Sequence, residues 1–108
     1  MIKELLKAAK IPAKESRYPE PPASTYAVYF DEIDTDGPDG LNWILTHDGT
    51  VELYEPKKDD KAEKAFEAQL NAHGLRYHKQ PRYWLKDVQR YQVIYEFTYI
   101  EKGGHKDV

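Results

Sequence analysis

Four histidines, two serines, nine tyrosines and nineteen carboxylates are the groups with which this chain of 108 residues could do chemistry. Asp34-x-Asp36-Gly37 hints at a calcium loop. An EF-hand, however, needs an oxygen ligand at loop position five and glycine at six, where this chain has Pro38 and Asp39. His47, His73, His78 and His105 have no i, i+4 helical pairing and no carboxylate at zinc-motif spacing. Ser16 and Ser24 lie in no Gly-x-Ser-x-Gly elbow. His47-Asp48 could serve Ser24 only from a site that the pattern reads as a tight turn. The adjacent carboxylates Asp31-Glu32 and Asp59-Asp60 fall in an acidic loop and at a helix start, where acids suit the helix dipole. With no cysteine and no glycine-rich phosphate cradle, the expectation is a protein without catalytic residues, metal or cofactor, which acts by binding.

The elements that would present a binding surface follow from periodicity. Ile2, Leu5, Leu6 and Ala9 form one stripe of a short helix, ended by Ile11-Pro12 because the residue before proline avoids the helical region. Prolines 12, 19, 21 and 22 make an extended connector, with Tyr18 as its anchor. Thr25–Phe30 reads as a strand and Asp31–Gly40, with five acids and no base, as a mobile loop. Leu41–Thr46 and Thr50–Tyr54 read as a hairpin turning at His47-Asp48-Gly49, since Asp-Gly favours tight turns. Asp60–His73 is the clearest helix, with Asp60 as cap, Glu63 completing a capping box and Gly74 as stop. Leu75–Lys79 is extended, Arg82–Gln89 is a link bringing Trp84 and Leu85 near the core, and Arg90–Ile100 is the strongest strand. At ~3.3 Å per residue that strand spans roughly 36 Å, more than the roughly 33 Å diameter of a compact domain of this length, so it should overhang its sheet. These elements predict an α+β fold. Its sheet is mainly antiparallel with four to five strands, one helix packs across a face, and a short N-terminal helix precedes it. The domain covers 1–101, with a flexible tail at 102–108.

Charge limits the choice of partner. Residues 31–60 carry ten acids against two lysines, while 1–30 and 75–108 are mildly basic, for a net charge of −3. That distribution disfavours phosphate backbones and suits contact between unlike faces of neighbouring copies. No apolar run reaches the ~20 residues of a membrane helix. Tyr26, Tyr29, Tyr91, Tyr95 and Tyr99 at sheet positions, with Arg82, Lys86 and Arg90 nearby, offer an alternative: a sheet that stacks single-stranded bases. The aromatic-basic signature of such modules is absent and the net charge is negative, so protein contact carries more weight. Tyr91, Tyr95, Phe97 and Tyr99, on one side of the overhanging strand, are the candidate subunit interface. Asp31, Glu32, Asp34, Asp36 and Asp39 are the candidate partner-binding loop.

Several stretches together resemble a known family. They are Ile2-Lys3-Glu4-Leu5-Leu6 ending at Ile11-Pro12, Pro21-Pro22 before Tyr26-Ala27-Val28-Tyr29, the acidic-glycine loop, Val51-Glu52-Leu53-Tyr54, the Glu63–Leu70 helix, and Tyr91-Gln92-Val93-Ile94-Tyr95-Glu96-Phe97. The pattern, over residues 1–101, resembles tail-completion or tail-terminator-like minor structural proteins of the neck of phages and prophages of Gram-positive bacteria. The resemblance implies a non-enzymatic subunit that forms a ring, typically a hexamer, at the head-proximal end of the tail tube. A protein of this kind can be monomeric in isolation. Its implied partners are copies of itself, the tail tube and the head connector. Its implied place is the virion, reached from the host cytoplasm, and the Asp31–Gly40 loop is the implied partner contact.

Overall fold

A computed structural model of the chain describes residues 1–36 and 43–103. The chain runs α1 (Ile2–Ala8), β1 (Ala13–Glu15), β2 (Tyr26–Asp36), β3 (Trp43–Glu55), α2 (Asp60–Ala72), β4 (Tyr77–Lys79), β5 (Tyr83–Leu85) and β6 (Arg90–Gly103). This is an α+β fold with one mixed sheet of six strands. Its order is β1-β2-β3-β6-β4, and β5 also lies beside β6. The β1–β2 pair is parallel, a feature sequence reading missed. Within the proline-rich connector, the Pro12 carbonyl accepts the Ala27 amide and Ser16 donates to the Tyr29 carbonyl, which holds β1 on the sheet edge.

Both helices end in the same way. Lys10 and Gly74 take left-handed backbone angles (φ 62° and 67°), and Ile11 and Leu75 donate back to the carbonyls of Leu6 and Leu70. These bonds satisfy carbonyls that the last helical turn would leave unpaired. At the start of α2 the cap is Asp59 rather than Asp60. Asp59 Oδ1 accepts the Ala62 amide at 3.1 Å, and Thr25 donates to its Oδ2 at 2.5 Å. Glu63 therefore sits one position past the capping box and turns inward, where it is buried.

Both helices cover the sheet face formed by odd-numbered residues. Ile2, Leu5, Leu6 and Ile11 meet Phe66 and Leu70 of α2 and Ala27, Val51, Leu53, Val93, Tyr95 and Phe97 of the strands in one core. Phe66 stands edge-on to Tyr95, with ring centroids 5.1 Å apart. Burying this cluster is the main stabilising term, at roughly 1.5–3 kcal/mol per large apolar side chain.

Two expected loops are strand. Asp31–Asp36 continues β2, paired residue for residue with Ile44–Gly49. His47-Asp48-Gly49 lies within β3, where the alternation of His47, Gly49, Val51 and Leu53 on one face runs unbroken. Glycine at 49 serves packing rather than turning. A Cβ there would lie 2.9 Å from Phe97 Cε2 and 3.0 Å from Ile2 Cδ1. The β2–β3 connection falls at 37–42, so Asp39 and the rest of the expected loop tip lie outside the described residues. β6 extends to Gly103, so Lys102 and Gly103 are strand rather than tail. Trp84 is largely exposed and packs edge-on against Tyr91 instead of entering the core.

Candidate functional site

Because β2, β3 and β6 outrun their neighbours, the molecule is elongated. It measures 51 × 27 × 21 Å with a radius of gyration of 15.9 Å, against about 13 Å for a compact chain of this length. β1 pairs with β2 only through Tyr29, and β4 pairs with β6 only as far as Phe97. Beyond these points, residues 30–36, 43–49 and 98–103 form a three-stranded arm. Among the described residues, neither its β2 edge nor its β6 edge has a strand partner.

A polar cluster joins all three strands where the core ends and the arm begins. His47 on β3 is opposite Ile33 across one ladder and Tyr99 across the other, and it reaches Asp31 diagonally. Its Nδ1 lies 2.8 Å from Asp31 Oδ1 and its Nε2 3.0 Å from Glu101 Oε1, while Tyr99 donates its hydroxyl to Asp31 Oδ2 at 2.9 Å. The imidazole stacks on the Tyr99 ring at 4.3 Å. Burial of His47 works against the imidazolium, but the two carboxylates outweigh it and hold the ring's pKa above the ordinary histidine range. Burial, reinforced by Asp31, raises the Tyr99 phenol above its ordinary value. Asp31 was legible as an acid but not as His47's partner, because only strand register brings residues 31, 47 and 101 together. Asp48, the histidine's sequence neighbour, points to the opposite face and accepts from Thr98.

A second ionic cluster sits under α2. Arg82 donates to Glu63 Oε2 through Nε (3.1 Å) and Nη2 (2.9 Å), and to Asp60 at 2.6 Å. Lys79 pairs with Glu63 (2.9 Å) and Glu67 (2.7 Å), and Glu67 also accepts the Tyr95 hydroxyl. Glu55 is fully buried. One carboxylate oxygen accepts the Asp59 amide, the other has no hydrogen-bond partner among the described residues, and burial together with nearby Glu63 raises its pKa. With Glu55 and Glu63 at 0 % and 3 % exposure, these carboxyls act on the chain's own atoms, tying the 75–89 segment to α2. Sequence reading missed the cluster, since its members are spread from 55 to 95.

The structure redistributes the expected interface. Tyr95, Phe97 and Tyr99 are 0 %, 5 % and 9 % exposed and belong to the core, because the face of β6 that carries them is the one the helices and His47 cover. This corrects their assignment as side chains that meet a neighbouring copy. Only Tyr91 of that set is part-exposed, between Trp84 and Lys58. What β6 leaves open is its backbone edge, with exposed Ile100 on the far face. Glu32 and Asp34 are exposed on the β2 part of the arm, whereas Asp31 turns to His47. The tyrosines share no open stacking face. Tyr26 points away from the helices, buried between Tyr18 and Tyr54, while Tyr95 and Tyr99 point toward them. Arg82 is engaged by carboxylates, and Arg90 donates to the carbonyls of Gln89 and Ala23.

No protein-family model matches the chain, and no curated protein matches it. Among the described residues, no helix is long and apolar enough to cross a membrane, and no group of three or more histidine or acidic residues is arranged to hold a metal ion.

Proposed function

We propose that this chain is a structural assembly subunit, resembling the tail-completion or tail-terminator proteins of the phage neck. In this reading it works by self-association on assembly and by binding the tail tube or head connector, and no bond is made or broken. The observation that carries the reading is the arm, a three-stranded ribbon that extends past the helices with two edges unpaired among the described residues. Exposed strand edges are templates for another chain, and monomeric proteins usually cover or shorten them. The two edges differ in charge. The β2 edge carries the exposed acids Glu32 and Asp34, while the β6 edge carries Glu101 and Lys102. Unlike edges suit an assembly in which one surface meets a sister subunit and another meets a different neighbour.

The test is binding to the structures the resemblance implies. Purified chain is mixed with tail tubes and with head connectors from the phage or prophage that encodes it, then followed by co-sedimentation and negative-stain imaging. The proposal expects density capping one end of the tube or connector, in a ring whose number the resemblance puts at six. Absence of binding to both structures would refute it.

A further inference from the structure

We infer that the β6 edge of the arm, residues Thr98–Lys102, pairs antiparallel with the same edge of a second copy, with Ile100 opposite the partner's Ile100. The inference rests on the assembly reading of the arm and names the contact through which two copies meet.

Backbone phase comes first. Gln80 donates to the Ile94 carbonyl at 2.9 Å, so on β6 the even-numbered residues direct their N–H and C=O groups away from β3. The alternation of an antiparallel ladder carries this to Thr98, Ile100 and Lys102. Among the described residues these have no strand partner on that side. Pairing with a second copy joins even to even, and the covered faces of both copies then lie on one side of a continuous sheet.

Sterics and charge select the register. With Ile100 opposite the partner's Ile100, Thr98 and Lys102 face the partner's Lys102 and the partner's Thr98, which makes three hydrogen-bonded pairs with two backbone bonds each. Tyr99 faces the partner's Glu101 in a non-hydrogen-bonded pair, and no like charges are opposed. Sliding two residues one way sets Glu101 against the partner's Glu101. Sliding two the other way drives the partner's Lys102 against Glu96, where His78 of β4 already pairs. In the Ile100-centred register only the partner's Gly103 reaches β4, at Phe97 opposite Tyr77, and has to turn off there. The β2 edge is a poorer self-partner, because antiparallel pairing there sets the exposed acids Glu32 and Asp34 against those of the second copy. Ile100, 62 % exposed on the far face, gains an apolar neighbour at the two-fold axis. Such a contact joins copies in pairs, so a ring of six needs a further contact between pairs, for which the acidic β2 edge is left free.

Two variants test this on the full chain. Ile100→Pro removes the central outward N–H without taking a bond from the β3–β6 ladder, and proline is tolerated on strand edges. Sedimentation velocity should show a concentration-dependent dimer for the original chain. The variant should weaken that dimer by more than about tenfold while keeping its circular dichroism, since two central hydrogen bonds are lost. Ile100→Cys supplies the only thiol in a chain without cysteine. A short bifunctional thiol reagent should join it into covalent dimers. Thr98→Cys and Lys102→Cys should remain unjoined, because their copies sit four residues apart along the strand, roughly 13 Å. A chain that stays monomeric at every concentration overturns the inference, as does a dimer unaffected by Ile100→Pro or a Thr98→Cys chain that cross-links as well as Ile100→Cys. None of these results touches the proposed function, which falls only if tube and connector binding fails.

Discussion

Replacing His47 by alanine isolates the cluster that ties the arm to the core. The histidine is 5 % exposed and bridges two carboxylates on the strands either side of it. The bond to Asp31, whose side chain is 22 % exposed, is charge-assisted and largely shielded, so it contributes about 1.5–3 kcal/mol. Glu101 is 56 % exposed, and solvent screening limits its pair to about 0–1 kcal/mol. Stacking on Tyr99 adds roughly 0.5–1.5 kcal/mol. The expected loss is about 3 kcal/mol, or on the order of 15 °C in Tm. Its pH dependence has a definite sign. The folded-state pKa of His47 is raised, so its charged-form contribution is fully present below the unfolded value near 6.5 and lost as pH rises through the folded value. Above that, the neutral ring keeps one bond as donor, so the gap between the original chain and His47→Ala shrinks without closing. Urea titrations of both proteins at about pH 6 and about pH 9 measure the gap. Hydrogen exchange of the amides in 31–36, 43–48 and 98–102 shows whether the loss is concentrated in the arm. A gap below about 0.5 kcal/mol, or one that widens with pH, would refute the reasoning.

Three further substitutions probe the supporting structure. Gly49→Ala should cost about 1–3 kcal/mol in a thermal or urea melt, because its Cβ must displace the Phe97 ring, which is itself packed on Phe66. Arg82→Met should lose roughly 2–4 kcal/mol by denaturant titration, since buried Glu63 then keeps only Lys79 as a counter-charge. Glu55→Gln should leave stability unchanged near pH 4 and raise it by on the order of 1 kcal/mol near pH 9. The raised pKa of Glu55 means that its ionisation opposes folding as pH climbs, while the amide oxygen can still accept the Asp59 N–H; a variant less stable than the original at high pH would contradict this.

What could be read from residue order is what depends on near neighbours. The stripe Ile2, Leu5, Leu6, the α2 pattern, the overhang of β6 though not its full length, and the extended connector anchored by Tyr18 all follow from local spacing and steric rules. Tertiary structure decided which side of each strand is covered and which residues meet across a ladder. Alternation shows that Tyr91 through Tyr99 share a face, but only the position of the helices makes that face the core. Asp-Gly at 48–49 is a turn signal in isolation, and it is overruled because Gly49 leaves room for Phe97 and Ile2. The His47 cluster draws on residues 31, 47, 99 and 101, and the Arg82 cluster on 60, 63 and 82. Such contacts form only after strand register and helix docking are set, and a linear pattern carries no record of either.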